Sequence, residues 1–179
     1  MHALTLARYF QQQPEQRLAL FNALAAPVLV NTLAALFGDD LYFHNTQLFF
    51  NPRDANKQNY WHRDMQYSAV PDAQQAEIHP ALCSLHVRIP LLDETGVELI
   101  PHSHQHWDSP LQREVRFALN GHQQHEDLPH SRLIPLNTGD VLLFNAQMIH
   151  RGRYDFNDQR LALDICIGRP HPLLRGFAD

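Results

Sequence analysis

The sequence predicts a mainly β domain of the sandwich or jelly-roll kind, with two N-terminal helices packed on one sheet. Three observations predict it. Apolar residues recur at helical spacing only before Gly38; beyond residue 40 the chain breaks into short runs rich in Leu, Ile, Val, Phe and Tyr; and Pro, Gly, Asn and Asp separate those runs at the intervals of an all-β sandwich. At 179 residues the chain reads as a single domain spanning 1–179, and that length buries about 70% of the unfolded surface.

From Pro14 to Phe37 the stripe is Leu18, Phe21, Leu24, Val28, Leu29, Leu33 and Leu36. Pro14 suits a first turn, Gly38 a C-terminal stop, and Pro27 has to end or kink the helix between them. The reading is therefore two helices, about 14–25 and 28–37, with the whole stripe in the core. Strands are expected at 41–50, 60–68, 82–91, 97–101, 112–118, 132–136, 140–145, 147–152 and 159–168, a β core of about 41–168. Asn137–Asp140 and Asp155–Asp158 read as turns, because Gly, Asn and Asp tolerate positive φ or hydrogen-bond to their own backbone. No internal repeat, low-complexity stretch or linker interrupts the pattern.

The formal net charge of −5 and the lack of any basic run argue against nucleic acid and anionic membrane as main partners, leaving a small molecule as the expected ligand. Cys83 and Cys166 sit in strand-like apolar runs rather than in a C-x-x-C pair, so buried free thiols in a reducing compartment are expected. The N-terminus lacks a basic segment followed by a long apolar core, and no run approaches membrane-spanning length. A cytoplasmic location is the expectation. Exposed edge strands on a short jelly roll would favour a homodimer.

Among thirteen histidines, His62 stands out through its spacing to Asp64. Residues two apart on an extended segment share a face. Asp64 lies inside the aromatic run Tyr60–Tyr67, and a buried carboxylate needs a cation or several donors. His150 ends the apolar run 141–149 and so arrives from the core on a distant strand. Two histidines and a carboxylate on one triangular face suit Fe(II) and leave positions open. His102, His104 and His106 also alternate, but they follow Pro101, precede Trp107-Asp108-Ser109-Pro110 and have no carboxylate in phase; His122, His125 and His130 read as loop residues.

Arg160 opens the run Leu161–Ile167, expected to pair with the His150 strand through the Asp155–Asp158 turn. An arginine there either pairs with a core carboxylate such as Asp164 or grips a dicarboxylic acid in a bidentate fork. Gln47, Phe49, Asn51, Tyr67, His86 and Arg88 fall where they would line the same pocket, Arg88 facing either an anionic substrate or a salt-bridge partner.

Three stretches carry a family resemblance. Trp61-His62-Arg63-Asp64 is similar to W-H-x-D; Gly96 to His104 to N-G-x-L-x-x-I-P-G-S-H; and Gly139-Asp140-Val141-Leu142-Leu143-Phe144 through His150 to Arg160 to G-D-x-x-x-F…H…R. In this ordered set, spanning roughly residues 45 to 168, the chain resembles the phytanoyl-CoA dioxygenase family of Fe(II)/2-oxoglutarate oxygenases. The resemblance implies a double-stranded β-helix, iron ligated by His62, Asp64 and His150, and Arg160 gripping the side-chain carboxylate of 2-oxoglutarate. It also implies consumption of O2, release of succinate and CO2, and oxidation of a small organic substrate. Asp64 favours hydroxylation, since halogenating relatives lack that carboxylate. The chain departs from the pattern at His102 (usually glycine), at Thr95 (often asparagine), at Gly152 (often a serine or threonine assisting the co-substrate), and at Asn51 or Arg53, where a lysine is common. A cupin-like metal enzyme without 2-oxoglutarate and an inactive jelly-roll binding protein are the alternatives.

Overall fold

In a computed structural model, which describes residues 2–54, 56–155 and 159–172, two antiparallel sheets enclose a cavity. In chain order the elements are β1 (His2–Ala3), α1 (Pro14–Leu24), α2 (Pro27–Phe37), β2 (Tyr42–Phe50), α3 (Asp72–Ile78), β3 (Ser84–Pro90), β4 (Glu94–Leu99), α4 (Pro110–Phe117), β5 (Arg132–Leu136), β6 (Leu142–Asn145), β7 (His150–Gly152) and β8 (Leu161–Gly168). One sheet runs β1-β2-β8-β3-β6 and the other β5-β4-β7. This is the expected mainly β, cupin-like jelly roll with N-terminal helices.

Pro27 starts α2 and bends it 48° from α1. No single helix among the described residues is long and apolar enough to cross a membrane. Leu29, Leu33 and Phe37 of α2, four apart on one face, pack with Leu24 against Leu85, Val87, Ile165 and Ile167 on the outer face of the larger sheet. Burying a leucine such as Leu33 contributes about 1.5–3 kcal/mol. The stripe is narrower than expected. Leu18, Val28 and Leu36 are 63%, 76% and 62% exposed, because the break at Pro27 resets the helical phase and residues counted in one continuous period point to different sides.

Strand positions differ from expectation in three places. The segment 60–68 contributes a single bridge residue, His62 opposite His150, and then coils into a 3-10 turn at Asp64–Tyr67, where the Gln66 side chain accepts from the Arg63 N–H. Residues 112–118 belong to α4, not a strand. Ser109 Oγ accepts from the Gln112 N–H and the Gln112 side chain accepts from the Ser109 N–H, a capping box with Pro110 at the first helical position. α3 was not expected at all, although Pro71-Asp72 followed by Ala, Gln and Glu is a helix start. β4 also begins earlier than 97, at Glu94, and stops before Ile100–Pro101.

The expected hairpin between the His150 and Arg160 strands does not form. β7 pairs with β4 in the smaller sheet and β8 lies between β2 and β3 in the larger one, so the chain changes sheets between them. The Asp155–Asp158 turn falls partly on residues 156–158, outside the described residues. The Asn137–Asp140 turn is closed by Asp140 N–H donating to Asn137 O at 2.9 Å, with Gly139 at φ +99. Cys83 is half-buried, Cys166 buried, and both are free.

Candidate metal centre and its cavity

Residues 61–64 send alternate side chains to opposite sides. Trp61 packs into a buried cluster with Ile100, Val115, Leu128 and Ile149, its Nε1–H donates to Glu126 O at 2.7 Å, and Arg151 lies over its ring at 4.2 Å. Arg63 turns away from the cavity, bonding Asp108 at 2.9 Å, Ser103 O at 2.7 Å, His106 O at 3.0 Å and Gln147 O. Fixed from behind in this way, the extended backbone at Arg63 turns His62 and Asp64 to the cavity although the segment is not a strand. His62 and His150 exchange both backbone hydrogen bonds, at 2.9 and 3.0 Å, which sets their rings 4.2 Å apart.

One ligand atom from each of His62, Asp64 and His150 lies within 4.8 Å of the others. Asp64 Oδ1 is 3.8 Å from His62 Nε2 and 3.5 Å from His150 Nε2. Each ring faces a backbone carbonyl with Nδ1, His62 to Tyr60 O at 3.2 Å and His150 to Met148 O at 2.8 Å. A carbonyl only accepts, so Nδ1 carries the proton and Nε2 keeps its lone pair for a metal. Burial holds both histidines neutral; the His150 pKa falls to about 3, with His62 adding to the effect. Asp64 goes the other way. Burial alone would raise its pKa, but His86, charged and hydrogen-bonded to it, leads the contributions that outweigh burial and keep the carboxylate ionised. Two neutral imidazoles and an anionic carboxylate fit a divalent first-row metal.

Asp64 Oδ2 is occupied by His86, whose Nε2 lies 2.6 Å away and whose Nδ1 faces Asp164 Oδ2 at 3.2 Å. Burial opposes charge on His86, yet Cys166 and the two carboxylates hold its pKa well above the ordinary value. With Oδ2 taken, Asp64 presents Oδ1 to the histidines.

Asp164 leads to a cluster of buried charges. Arg88 donates to Asp164 Oδ1 at 2.7 Å and to Glu94 through Nε at 2.6 Å and Nη2 at 2.9 Å. Glu94 Oε2 also accepts from Arg160 Nε at 3.0 Å. The alternatives for the two arginines resolve unevenly: Arg88 is consumed by Glu94 and Asp164, and Arg160 pairs with Glu94 rather than Asp164. The Nη1–Nη2 end of Arg160 has no hydrogen-bond partner among the described residues and lies beside Gly152, where an added Cβ would come within 2.9 Å of Nη1. Phe49 and Tyr154 flank the guanidinium at 6.0 and 5.7 Å.

A cavity of about 430 Å3 joins these groups. It is lined by the triad and Arg160, and also by Gln47, Phe49, Tyr67, His86 and Arg88, five of the six further positions named from the sequence; Asn51, beyond the end of β2, is not part of the lining. His102, His104 and His106 lie away from it, and His102 takes a left-handed φ of +64. Sequence reasoning missed Glu94, and it missed that Asp164 serves Arg88 and His86. Asp164 is a carboxylate inside an apolar strand run, the signal already used for Asp64, whereas Glu94 lies in the polar stretch Asp93-Glu94-Thr95-Gly96 and carries no such signal.

A family model described as Phytanoyl-CoA dioxygenase (PhyH) matches residues 5–160. Among solved structures, HygX from Streptomyces hygroscopicus with iron bound superposes with a TM-score of 0.66 at 14% identity, covering 88% of this chain and 70% of that one. The non-heme monooxygenase ThoJ, as its Ni complex, gives 0.54 at 22% identity, covering 81% of this chain and 51% of that one. EctD from S. alaskensis, with 2-oxoglutarate and 5-hydroxyectoine, gives 0.53 at 19% identity, covering 79% and 49%. At these identities the likeness is one of fold, and the chain spans about half the length of ThoJ and EctD. No curated protein matches the chain.

Proposed function

Because the chain belongs to the phytanoyl-CoA dioxygenase family, we propose that it is an Fe(II)- and 2-oxoglutarate-dependent oxygenase that hydroxylates a small organic molecule. The observation that carries this reading is the pairing of a neutral–neutral–anionic donor triad with an arginine whose Nη end borders the same cavity. His62 Nε2, Asp64 Oδ1 and His150 Nε2 would hold the iron. Fe(II), 2-oxoglutarate and O2 together supply the oxidising chemistry, with succinate and CO2 as co-products.

The chain's own residues bind and orient. Arg160 offers its Nη1–Nη2 edge to the far carboxylate of the ketoacid while Glu94 fixes its Nε, so the fork is oriented before the co-substrate arrives. Phe49 and Tyr154 shield the guanidinium from water, which strengthens a charge-assisted pair. His86 holds Asp64 Oδ2, leaving Oδ1 for the metal.

The Glu94 contact also favours a competing reading, in which Arg160 is an ion-pair partner only and the metal works without a ketoacid. Succinate formation separates the two. Purified protein supplied with Fe(II), 2-oxoglutarate and O2 is expected to release succinate, and His62→Ala or His150→Ala to abolish it. Absence of succinate from the unmodified protein across a broad panel of small-molecule substrates would reject the ketoacid-dependent reading.

A further inference from the structure

Building on the oxygenase reading, we infer that the end of the cavity away from Arg160 binds the primary substrate, and that this substrate is a small, uncharged molecule carrying several hydroxyl groups. The strand register lays out the cavity face of the larger sheet in rows. Arg88, Asp164 and Gln47 form one row; two residues along lie His86, Cys166 and Asn45; beyond them come Ser84 and Gly168, with His44 beside the irregularity in β2. All the arginines lie at the first row or past it. His44, Asn45, Ser84 and Gln147, which line the opposite end, include no charged side chain.

That end has unmet hydrogen bonds. His44 Nε2, Asn45 Oδ1 and Gln147 Oε1 are buried and have no hydrogen-bond partner among the described residues, on side chains of which His44 and Gln147 are only 7% and 2% exposed. Three such atoms around one cavity are costly unless a ligand completes them. Burial, and then His86, lowers the His44 pKa, so the ring is neutral. The backbone is kept bare to admit that ring. A Cβ at Gly168 would strike the Cys83 carbonyl oxygen and come within 3.1–3.2 Å of the His44 ring.

The complement of two amide oxygens and a neutral imidazole nitrogen is a set of hydroxyl donors, which also accept where the imidazole donates. An anionic substrate would meet amide oxygens, and the cationic ring nearby, His86, is already paired with Asp64 and Asp164. An apolar one would leave three buried polar atoms unmet. The cavity, about 430 Å3, lies low in the range of roughly 300–1,000 Å3 usual for ligand sites and must also hold the co-substrate, so the hydroxylated group is about the size of one substituted ring. Asn45 shares its row with His86, which bonds the candidate ligand Asp64, so a substrate seated there adjoins the metal.

The test uses the full chain loaded with Ni(II) and 2-oxoglutarate, which bind without turnover, and four probes: methyl β-D-glucopyranoside, hexanoate, hexylammonium and 1-hexanol. Calorimetric titration is expected to show saturable binding of the glucoside at least tenfold tighter than the other three. Asn45→Val and Gln147→Leu should each weaken it by roughly tenfold. The inference is overturned if the glucoside does not bind, if any other probe binds as tightly, or if both variants bind it as the unmodified protein does. The Fe(II) form provides the separate control. If it develops no ketoacid charge-transfer band under anaerobic conditions, the oxygenase reading falls, whatever the probes do; if the band forms and the glucoside pattern fails, only the substrate assignment falls.

Discussion

The two ends of the functional machinery hold their side chains by opposite means. His62 and His150 are placed by neutral contacts, their own paired backbones and the carbonyls of Tyr60 and Met148. Arg88, Arg160, Glu94 and Asp164 are placed by one another's charges, all of them buried. Removing a neutral imidazole leaves no charge behind it, whereas removing one member of a buried charge cluster strands another in low dielectric. The difference teaches that function and stability divide along the cavity. The two imidazoles should therefore be removable at little cost in stability, and a carboxylate of the arginine end only at a larger one.

The sharpest way to break that comparison is Glu94→Leu, which leaves Arg88 and Arg160 short of a carboxylate. The expected loss is about 3–5 kcal/mol, a fall in Tm of about 6–20 °C at about 2–4 °C per kcal/mol for a chain of this size. His150→Ala should lower Tm by less than half as much while abolishing stoichiometric Ni(II) or Fe(II). Thermal unfolding beside metal analysis of the two variants decides it, and equal melting temperatures would dissolve the distinction.

A smaller effect is expected behind the metal end. His79 is buried and its Nε2 lies 2.9 Å from Arg63 Nη1, so it must accept, and burial followed by Arg63 lowers its pKa from 6.5 to about 4. In the unfolded chain the ring protonates near 6.5. Between about pH 6.5 and 4 the unfolded state therefore binds the extra proton, so stability is present above this window and is lost as pH falls through it. His79→Gln, which keeps an acceptor but does not titrate, should flatten that part of the stability–pH profile. An unchanged slope would mean that His79 is not the group responsible.

The smallest expected effect is at Gly152, where an alanine Cβ would press on Nη1 and Nη2 of Arg160. Gly152→Ala should raise the 2-oxoglutarate requirement a few-fold without altering metal content. A wild-type requirement would show that the fork has slack, and a lost metal would show that the two ends are not separable.

The sequence made the metal end more legible than the arginine end. His62 and Asp64 two apart, with His150 closing an apolar run, were enough to nominate residues that the fold brings together, even though the segment proved to be a bridge and a 3-10 turn. What preserved the alternation was the extended backbone at Arg63, not a strand. The arginine end depends on long-range pairing between β3, β4 and β8, and no local pattern says that Arg88 takes Asp164 while Arg160 takes Glu94. The β7–β8 hairpin failed for the same reason: proximity in sequence argued for pairing, and the sheet register chose other partners. Residues 112–118 were read by their apolar content when the stronger local signal was the Ser109–Gln112 capping box.

The most direct test of the account is anaerobic titration of the Fe(II)-loaded protein with 2-oxoglutarate, followed by its visible charge-transfer band, in the unmodified chain and in Arg160→Leu. A bidentate guanidinium–carboxylate pair contributes about 1.5–3 kcal/mol, so the variant should need roughly 10- to 150-fold more 2-oxoglutarate. Its metal content should be unchanged, and Arg160→Lys should recover only part of the loss, since a point charge does not reproduce the fork. No band at millimolar 2-oxoglutarate in the unmodified protein, or an equal requirement in Arg160→Leu, would contradict the account and leave Arg160 as the ion-pair partner of Glu94 alone.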